Sequence, residues 1–139
     1  MSKTISDKMG IKEYSRCYFL NTPENFFEII ESQPLNISEI LEGKFDYIHI
    51  FMLTQFELKK AIEKLKPYLS EKGHFWISWP KAKKLETDLS LPIIIKIVYQ
   101  NGLVESKVIS IDNSWSAIKI TKPIEGRVYK NSYGILDLD

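Results

Sequence analysis

The chain reads as an α/β protein with a mostly parallel sheet and an antiparallel hairpin toward its C-terminus. Three observations predict this class. Residues 45–81 (FDYIHIFMLTQFELKKAIEKLKPYLSEKGHFWISWPK) carry a buried strand, an amphipathic helix, a turn and a second buried strand, a complete β-α-β unit. Within it, Tyr47 to Leu53 is nearly all apolar, as expected of a strand covered on both faces. Further on, Val104–Ile111 and Ser116–Thr121 flank the polar turn Asp112-Asn113-Ser114-Trp115, which is the pattern of a hairpin.

With 139 residues the chain is large enough to bury one core without disulfides or metals. Hydrophobic residues make up 44% and charged ones 27%, values at which wholesale disorder is not expected. Nineteen Lys plus Arg against eighteen Asp plus Glu leave a net charge of +1. That balance gives no electrostatic case for a nucleic-acid or membrane-surface partner. The single cysteine, Cys17, excludes an internal disulfide and any multi-thiolate metal site. In its apolar setting (YSRCYFL) it is expected to be a small buried hydrophobe. The opening residues lack the apolar core of a signal peptide, and no apolar run approaches the ~20 residues that span a bilayer. A soluble cytoplasmic location is the expectation.

Taken in order, residues 1–13 read as a polar lead-in with Met9-Gly10-Ile11 as its one apolar patch. Tyr14 to Leu20 is the first strand, broken by Asn21-Thr22-Pro23. Glu24 to Glu31 carries Phe26, Phe27, Ile29 and Ile30 and forms a short helix, ended by Ser32-Gln33-Pro34. A short strand near Asn36–Ile40 follows. Thr54-x-x-Glu57 is a capping box, in which the Thr hydroxyl accepts from the Glu57 amide while the carboxylate reaches back. Leu58, Ala61, Ile62, Leu65 and Leu69 fall on one helical face, with Lys59, Lys60, Glu63, Lys64 and Lys66 opposite. Pro67 ends this helix, Gly73 supplies a turn, and His74–Trp79 is the next strand.

Residues 81–90 form a polar loop. Leu91–Tyr99 is open between two readings. Its β-branched run followed by Asn101-Gly102 suits a hairpin strand. Asp88 or Ser90 as N-cap, Pro92 in a first turn and Gly102 as C-cap suit a helix, which would add a second β-α-β crossover. The tail from Lys122 has little periodicity and is expected to be a loosely packed extension over 123–139, outside a core at about 8–122.

Several segments resemble, in order and spacing, a family of short bacterial proteins without assigned function, domain-of-unknown-function family three thousand and fifty-two. They are KMGIK (Lys8–Lys12), LNTPENF (Leu20–Phe26), FDYIHIF (Phe45–Phe51), WISWPK (Trp76–Lys81), TDL (Thr87–Leu89), NGLVESKV (Asn101–Val108) and IDNSWSAIKI (Ile111–Ile120). This resemblance implies a helix at residues 89–101. A second, fold-level resemblance is to the C-terminal half of class I S-adenosylmethionine methyltransferases. Phe45-Asp46 opening a strand, Leu65-Lys66-Pro67, Gly73 and the closing hairpin follow one another as they do there. It implies a reduced Rossmann-like, methyltransferase-like sheet, and by itself transfers no function. In that family a glycine-rich turn after the first strand and an acidic residue ending the second hold the cofactor. Here the turn reads Leu20-Asn21-Thr22-Pro23-Glu24, without glycine. The segment between the first strand and Phe45 is too short for the usual two further strands and helices. The cofactor half of the pocket is therefore expected to be missing, and no cofactor is expected.

Candidate ligand contacts lie on loops at strand ends. Trp79 could stack on a ring and Lys81 meet an anion, or Trp79 could pack on the sheet with Lys81 solvated. Asp88, with Thr87, could cap the next helix, or act with Lys81 or Asp112 as partner. Asp112 and Trp115 could line a pocket with Trp79, or serve the hairpin turn itself. Asn21 belongs to the loop after the first strand. Lys81, Lys83 and Lys84 form a small basic cluster answered by Glu86 and Asp88. His49, inside an apolar strand, reads as a satisfied core histidine, and His74 lies beside a turn; the two do not make a metal site. The leading reading is a non-catalytic binding or interaction module with a small-molecule or protein partner. The alternative is a nucleotide-type ligand binder or S-adenosylmethionine-dependent enzyme using the loops after Asn21, Trp79 and Asp112. The alternative requires Trp79, Lys81, Asp88 and Trp115 to converge on one cleft.

Overall fold

The computed structural model describes residues 4–13, 15–31, 34–81, 85–124, 128–131 and 134–137. Tyr14, Lys83 and Lys84, named above in the first strand and the basic cluster, lie outside these. The elements in chain order are α1 (Ile5–Met9), β1 (Arg16–Leu20), α2 (Phe26–Ile30), β2 (Asn36–Ile37), β3 (Phe45–Phe51), α3 (Gln55–Leu65), β4 (Leu69–Pro80), α4 (Leu91–Gln100), β5 (Val104–Ser110), β6 (Trp115–Thr121), β7 (Val128–Asn131) and β8 (Gly134–Asp137). Six strands form one sheet in the order β2-β1-β3-β4-β6-β5. The first four are mutually parallel, β6 runs antiparallel to β4, and β5 pairs antiparallel with β6. This is the Rossmann-like α/β class that the sequence predicts. Among the described residues no helix is long and apolar enough to cross a membrane.

Two apolar layers sandwich the sheet. Leu58, Ile62 and Leu65 of α3 and Ile94 and Val98 of α4 pack against Ile48, Ile50, Phe75, Ile77 and Ile118 on one face. Met9 of α1 and Phe26 and Ile30 of α2 cover Cys17, Tyr47, Phe51, Trp76 and Ala117 on the other. Six of the seven residues of β3 are buried, which accounts for its continuous apolar run. α3 starts as its capping box requires: Thr54 Oγ1 accepts from the Glu57 amide at 3.1 Å, and Glu57 Oε1 accepts from the Thr54 amide at 3.2 Å. α4 is a helix, as the short-family resemblance implies. Its apolar residues occupy consecutive positions because it lies under the tail as well as on the sheet, with β8 against it.

Three local expectations are corrected. Residues 1–13 are not a bare lead-in, because Ile5–Met9 is helical. Thr4 and Asp7 form a capping box, and Gly10 ends the helix at φ 72°. The signal was in the sequence, as Thr-x-x-Asp before Met9-Gly10. Gly73 is not a turn but lies inside β4. The register jumps from Phe45 opposite Leu69 to Tyr47 opposite His74, so residues 70–73 bulge. A Cβ on Gly73 would stand 2.8 Å from Leu69 Cδ1 and 3.0 Å from the Phe45 carbonyl oxygen, so only glycine permits that approach. The short strand after α2 stops at Ile37 instead of Ile40. Within the tail, Val128–Asn131 and Gly134–Asp137 pair as antiparallel strands.

At the centre of the sheet His49 is fully buried with both ring nitrogens engaged, as a core histidine should be. Nδ1 lies 2.9 Å from Tyr47 Oη and Nε2 2.6 Å from Ser78 Oγ. The ring stacks on Phe51 at 4.3 Å. Burial holds its pKa well below the usual histidine value, so the ring is neutral.

Candidate functional site

Open α/β sheets bind ligands outside the carboxyl ends of their strands, at the point where strand order reverses. Here the chain leaves β1 for β2 on one side and returns to β3 on the other, so that point lies between β1 and β3. The six residues singled out from the sequence all stand at this end of the sheet, but the fold separates them.

Trp79 and Trp115 face opposite sides. Trp79 is 7% exposed in the α3/α4 layer, whereas Trp115 packs edge-on against Phe51 at 5.2 Å on the α1/α2 side. The register decides this: Trp79 pairs with Ser116 and Pro80 with Trp115, which sets the two indoles out of phase across β4 and β6. The seam beside Trp115, formed with Phe26, Ile29 and Ile111, holds no water-sized space. The shared pocket does not exist.

The polar candidates are engaged with the chain. Lys81 Nζ donates to Ser110 Oγ, and its amide donates to the Ser114 carbonyl at 2.9 Å, which ties the end of β4 to the hairpin. Asp112 Oδ1 accepts from the amides of Ser114 and Trp115 at 2.8 and 2.9 Å, the turn chemistry weighed for it. Asp88 does cap a helix, but α3 rather than α4. Its Oδ1 accepts from the Gln55 amide at 2.8 Å, while Ser90, the residue at the start of α4, makes no side-chain cap. Thr87 Oγ1 donates to the Leu53 carbonyl at 2.6 Å, so Thr87 and Asp88 latch the loop after β4 over the loop after β3.

Asn21 is engaged with the chain as well, but among the described residues it alone of the six borders open space. It follows β1 in the left-handed region, φ 59°, and its side-chain amide donates to the Phe51 carbonyl at 3.3 Å. This residue supplies the sharp turn that glycine would otherwise give. It also borders an open crevice of about 230 Å³ between β1, the end of β3 and α3. Leu20, Met52 and Ala61 form an apolar floor, and Glu57, Lys60 and Lys64 the rim. Lys60 Nζ lies 4.2 Å over the Phe56 ring, and Phe56 itself is 67% exposed beside it. The geometry suits a flat apolar group on the floor with an anionic arm toward the lysines. Sequence reading placed Lys60 and Lys64 on the solvent face of α3 and stopped there. Nothing local shows that β1 ends next to that face.

The crevice is open because the chain between β1 and β3 holds one helix and a two-residue strand. Among the described residues no further helix covers this side of β1, and Tyr18, Leu20 and Leu41 are left half-buried on that layer. Glu39, exposed, stands two residues beyond the end of β2. Among the described residues no group of His, Cys, Asp and Glu could hold a metal ion.

Comparison with known proteins supports the fold and no more. No protein-family model and no curated protein matches the chain, so membership of the short bacterial family gains no support. Solved structures do match. A TehB-like S-adenosylmethionine-dependent methyltransferase from Corynebacterium glutamicum superposes with TM-score 0.57 at 12% identity, over 86% of this chain and 85% of that one. The ribosomal protein L11 methylase of Lactobacillus delbrueckii gives TM-score 0.54 at 13% identity, over 84% and 73%. Magnesium protoporphyrin IX methyltransferase from Synechocystis, solved with bound S-adenosylmethionine, gives 0.55 at 12%, over 86% and 74%. At such identities the likeness establishes a methyltransferase-like Rossmann sheet, and function does not travel with it.

Proposed function

We propose that the protein binds a nucleotide-type ligand, an adenosyl compound before others, in the crevice between β1, β3 and α3. The observation that carries the proposal is the position of that crevice: an apolar floor with a rim of Lys60, Lys64 and Glu57, open at the switch point of a methyltransferase-like sheet. The fit to S-adenosylmethionine is partial. The turn after β1 has the left-handed backbone but carries the Asn21 side chain tied to Phe51, so no glycine cradle receives the amino-acid end of that cofactor. The nucleoside end fares better. Leu20, Met52 and Ala61 supply an apolar bed for a base, and Glu39 stands just beyond β2, where the resemblance implies an acidic residue. Lys60 and Lys64 favour a ligand with an anionic arm. The proposal ends at binding, because Trp79, Lys81, Asp88 and Asp112 hold the loops in place and assemble no reacting group.

Thermal unfolding in the presence of S-adenosylmethionine, S-adenosylhomocysteine, AMP and ATP tests it. A ligand at about a hundred times its dissociation constant adds ~2.7 kcal/mol, a shift of several degrees in a chain of this size. The shift is expected with at least one adenosyl compound and is expected to vanish in Ala61→Phe, which fills the crevice floor from a residue already 8% exposed. No shift with any of the four compounds overturns the proposal. So does a shift that Ala61→Phe leaves intact while the variant remains folded by circular dichroism.

A further inference from the structure

The outer edge of the sheet, at β2, lies in a stretch of chain without a cation. From Cys17 through Gly43 the sequence has five glutamates, Glu24, Glu28, Glu31, Glu39 and Glu42, and no lysine or arginine. All five residues are exposed. Among the described residues the one ion pair is Lys122–Glu71, so none of the five has a cation within salt-bridge distance. Arg16 and Lys44 bound the stretch but reach toward the starts of β3 and β4. The Arg16 guanidinium donates to the carbonyls of Lys44 and Glu42 and lies over the Phe45 ring, and Lys44 Nζ donates to the Pro67 carbonyl at 2.6 Å.

The same edge exposes apolar side chains on one face. Cys17 pairs with Ile37, and residues paired in register share a face, so Ile37 stands on the α1/α2 side. There the Phe27 ring meets Phe19, the next residue of β1 on that face, at 5.0 Å. Ile37 is 47% exposed and Phe27 39%, with Phe19 and Leu35 half-buried in the same layer. Glu24, Glu28 and Glu31 lie within four residues of Phe27. Glu39 and Glu42 belong to the loop that carries Leu41 into the opposite layer, so carboxylates flank the edge on both faces.

Main-chain groups point outward as well. The amides of Asn36 and Ser38 donate inward, to the carbonyls of Ser15 and Cys17 at 3.0 and 2.9 Å. By the alternation of a ladder, Ile37 therefore directs its own N–H and C=O away from β1. Among the described residues no strand pairs with β2 on that side. A concavity of about 490 Å³ lies beside it, lined by Arg16, Leu35, Asn36, Ile37 and Ser38. Charge decides what fits there. A second copy offering this same edge would set glutamate against glutamate, which opposes self-pairing. A basic segment meets an unanswered carboxylate wherever it carries a lysine or arginine.

From the unpaired edge, the exposed Phe27 and Ile37 and the five unanswered glutamates, we propose that β2 docks a basic, extended segment of a partner protein as an added strand. The segment's main chain pairs with Ile37, apolar side chains on one of its faces rest on Phe27 and Ile37, and its cations meet the glutamates. This surface shares no lining residue with the crevice beside α3 and does not depend on a ligand there.

The probe is a blocked peptide alternating lysine and valine, about six residues long, the usual length of a strand. Fluorescence anisotropy with the whole chain measures its binding, and amide NMR locates it. Binding is expected, weakening as salt rises, with the largest shifts at Phe27 and Ile37. Glu24→Lys/Glu28→Lys, at exposed positions, should weaken it about tenfold or more. Ile37→Pro, which removes only an outward N–H, should do the same through the main chain, and Phe27→Ser replaces it if circular dichroism shows that the proline variant unfolds. No binding, equal binding of a lysine–serine peptide, shifts centred away from β2, or binding that these variants leave intact would each overturn the proposal. A dimer of the chain that Ile37→Pro dissolves would give the edge to a second copy and overturn it as well.

Discussion

Replacing His49 with phenylalanine separates two contributions that the buried ring makes to the fold. The first is hydrogen bonding. Phenylalanine preserves the stacking on Phe51 but leaves the Ser78 hydroxyl without its partner at 2.6 Å, and leaves Tyr47 with only the Met9 sulfur at 3.7 Å. An orphaned buried hydroxyl costs about 1–3 kcal/mol, so His49→Phe should lose ~2–4 kcal/mol at pH 7.5. A chain with 5–15 kcal/mol in hand stays folded. Adding Ser78→Ala removes one orphan and should restore about 1 kcal/mol or more.

The second contribution is to pH dependence. The folded pKa of His49 is depressed, so below the unfolded-chain value of 6.5 the unfolded state binds the extra proton. Stability from this group is then complete above about pH 7 and falls by up to ~1.4 kcal/mol for each pH unit below 6.5. Between pH 7.5 and pH 5.0 the loss integrates to ~2 kcal/mol. His74, its pKa also lowered by burial, acts in the same direction and the carboxylates act in both proteins, so the difference between wild type and His49→Phe isolates His49. Urea unfolding followed by tryptophan fluorescence at the two pH values measures it. If His49→Phe loses as much stability as the wild type between pH 7.5 and 5.0, the ring is not held neutral. If it matches the wild type at pH 7.5, the two hydrogen bonds contribute nothing.

Three other outcomes are expected. Asp88→Ala should destabilise by about 1 kcal/mol, through the lost cap at α3, and should speed amide exchange at Gln55 more than at the start of α4; faster exchange at Ile93 and Ile94 instead would return Asp88 to the α4 cap. Gly73→Ala should cost more than an ordinary strand substitution, about 2 kcal/mol or above, because its Cβ meets the Phe45 carbonyl and the Leu69 side chain; an unchanged urea midpoint would contradict the close approach. Cys17 is fully buried, and burial, followed by the charge of Asp46, pushes its thiol up to about 12. An aromatic disulfide reagent at pH 8 should therefore modify it only as fast as the protein unfolds, and prompt reaction of the native chain would refute that placement.

Much of the central unit was legible because its signals are local. The β3 run, the Thr54–Glu57 capping box and the apolar face of α3 each depend on residues within a turn or two of one another. The α1 capping box was equally local and went unread among polar residues. Leu91–Tyr99 shows the limit of propensity: its β-branched run favoured a strand, and burial on two sides made it a helix. Asp88 shows the limit of motif reading. Its carboxylate was rightly assigned to a cap, yet the helix it caps starts 33 residues earlier in the chain.

The sequence by itself determined the class, an α/β sheet built on β3-α3-β4, and the buried states of Cys17 and His49, because hydrophobic period and local side-chain chemistry suffice for these. Only the tertiary structure decided which residues meet. One residue of register between β4 and β6 sends Trp79 and Trp115 to opposite faces, and strand order places Asn21 beside Lys60 and Lys64 of α3. The pairing of Cys17 with Ile37 puts Ile37 on the face where Phe27 meets Phe19. Register and strand order are set by pairings between distant segments, and no periodicity within one segment encodes them.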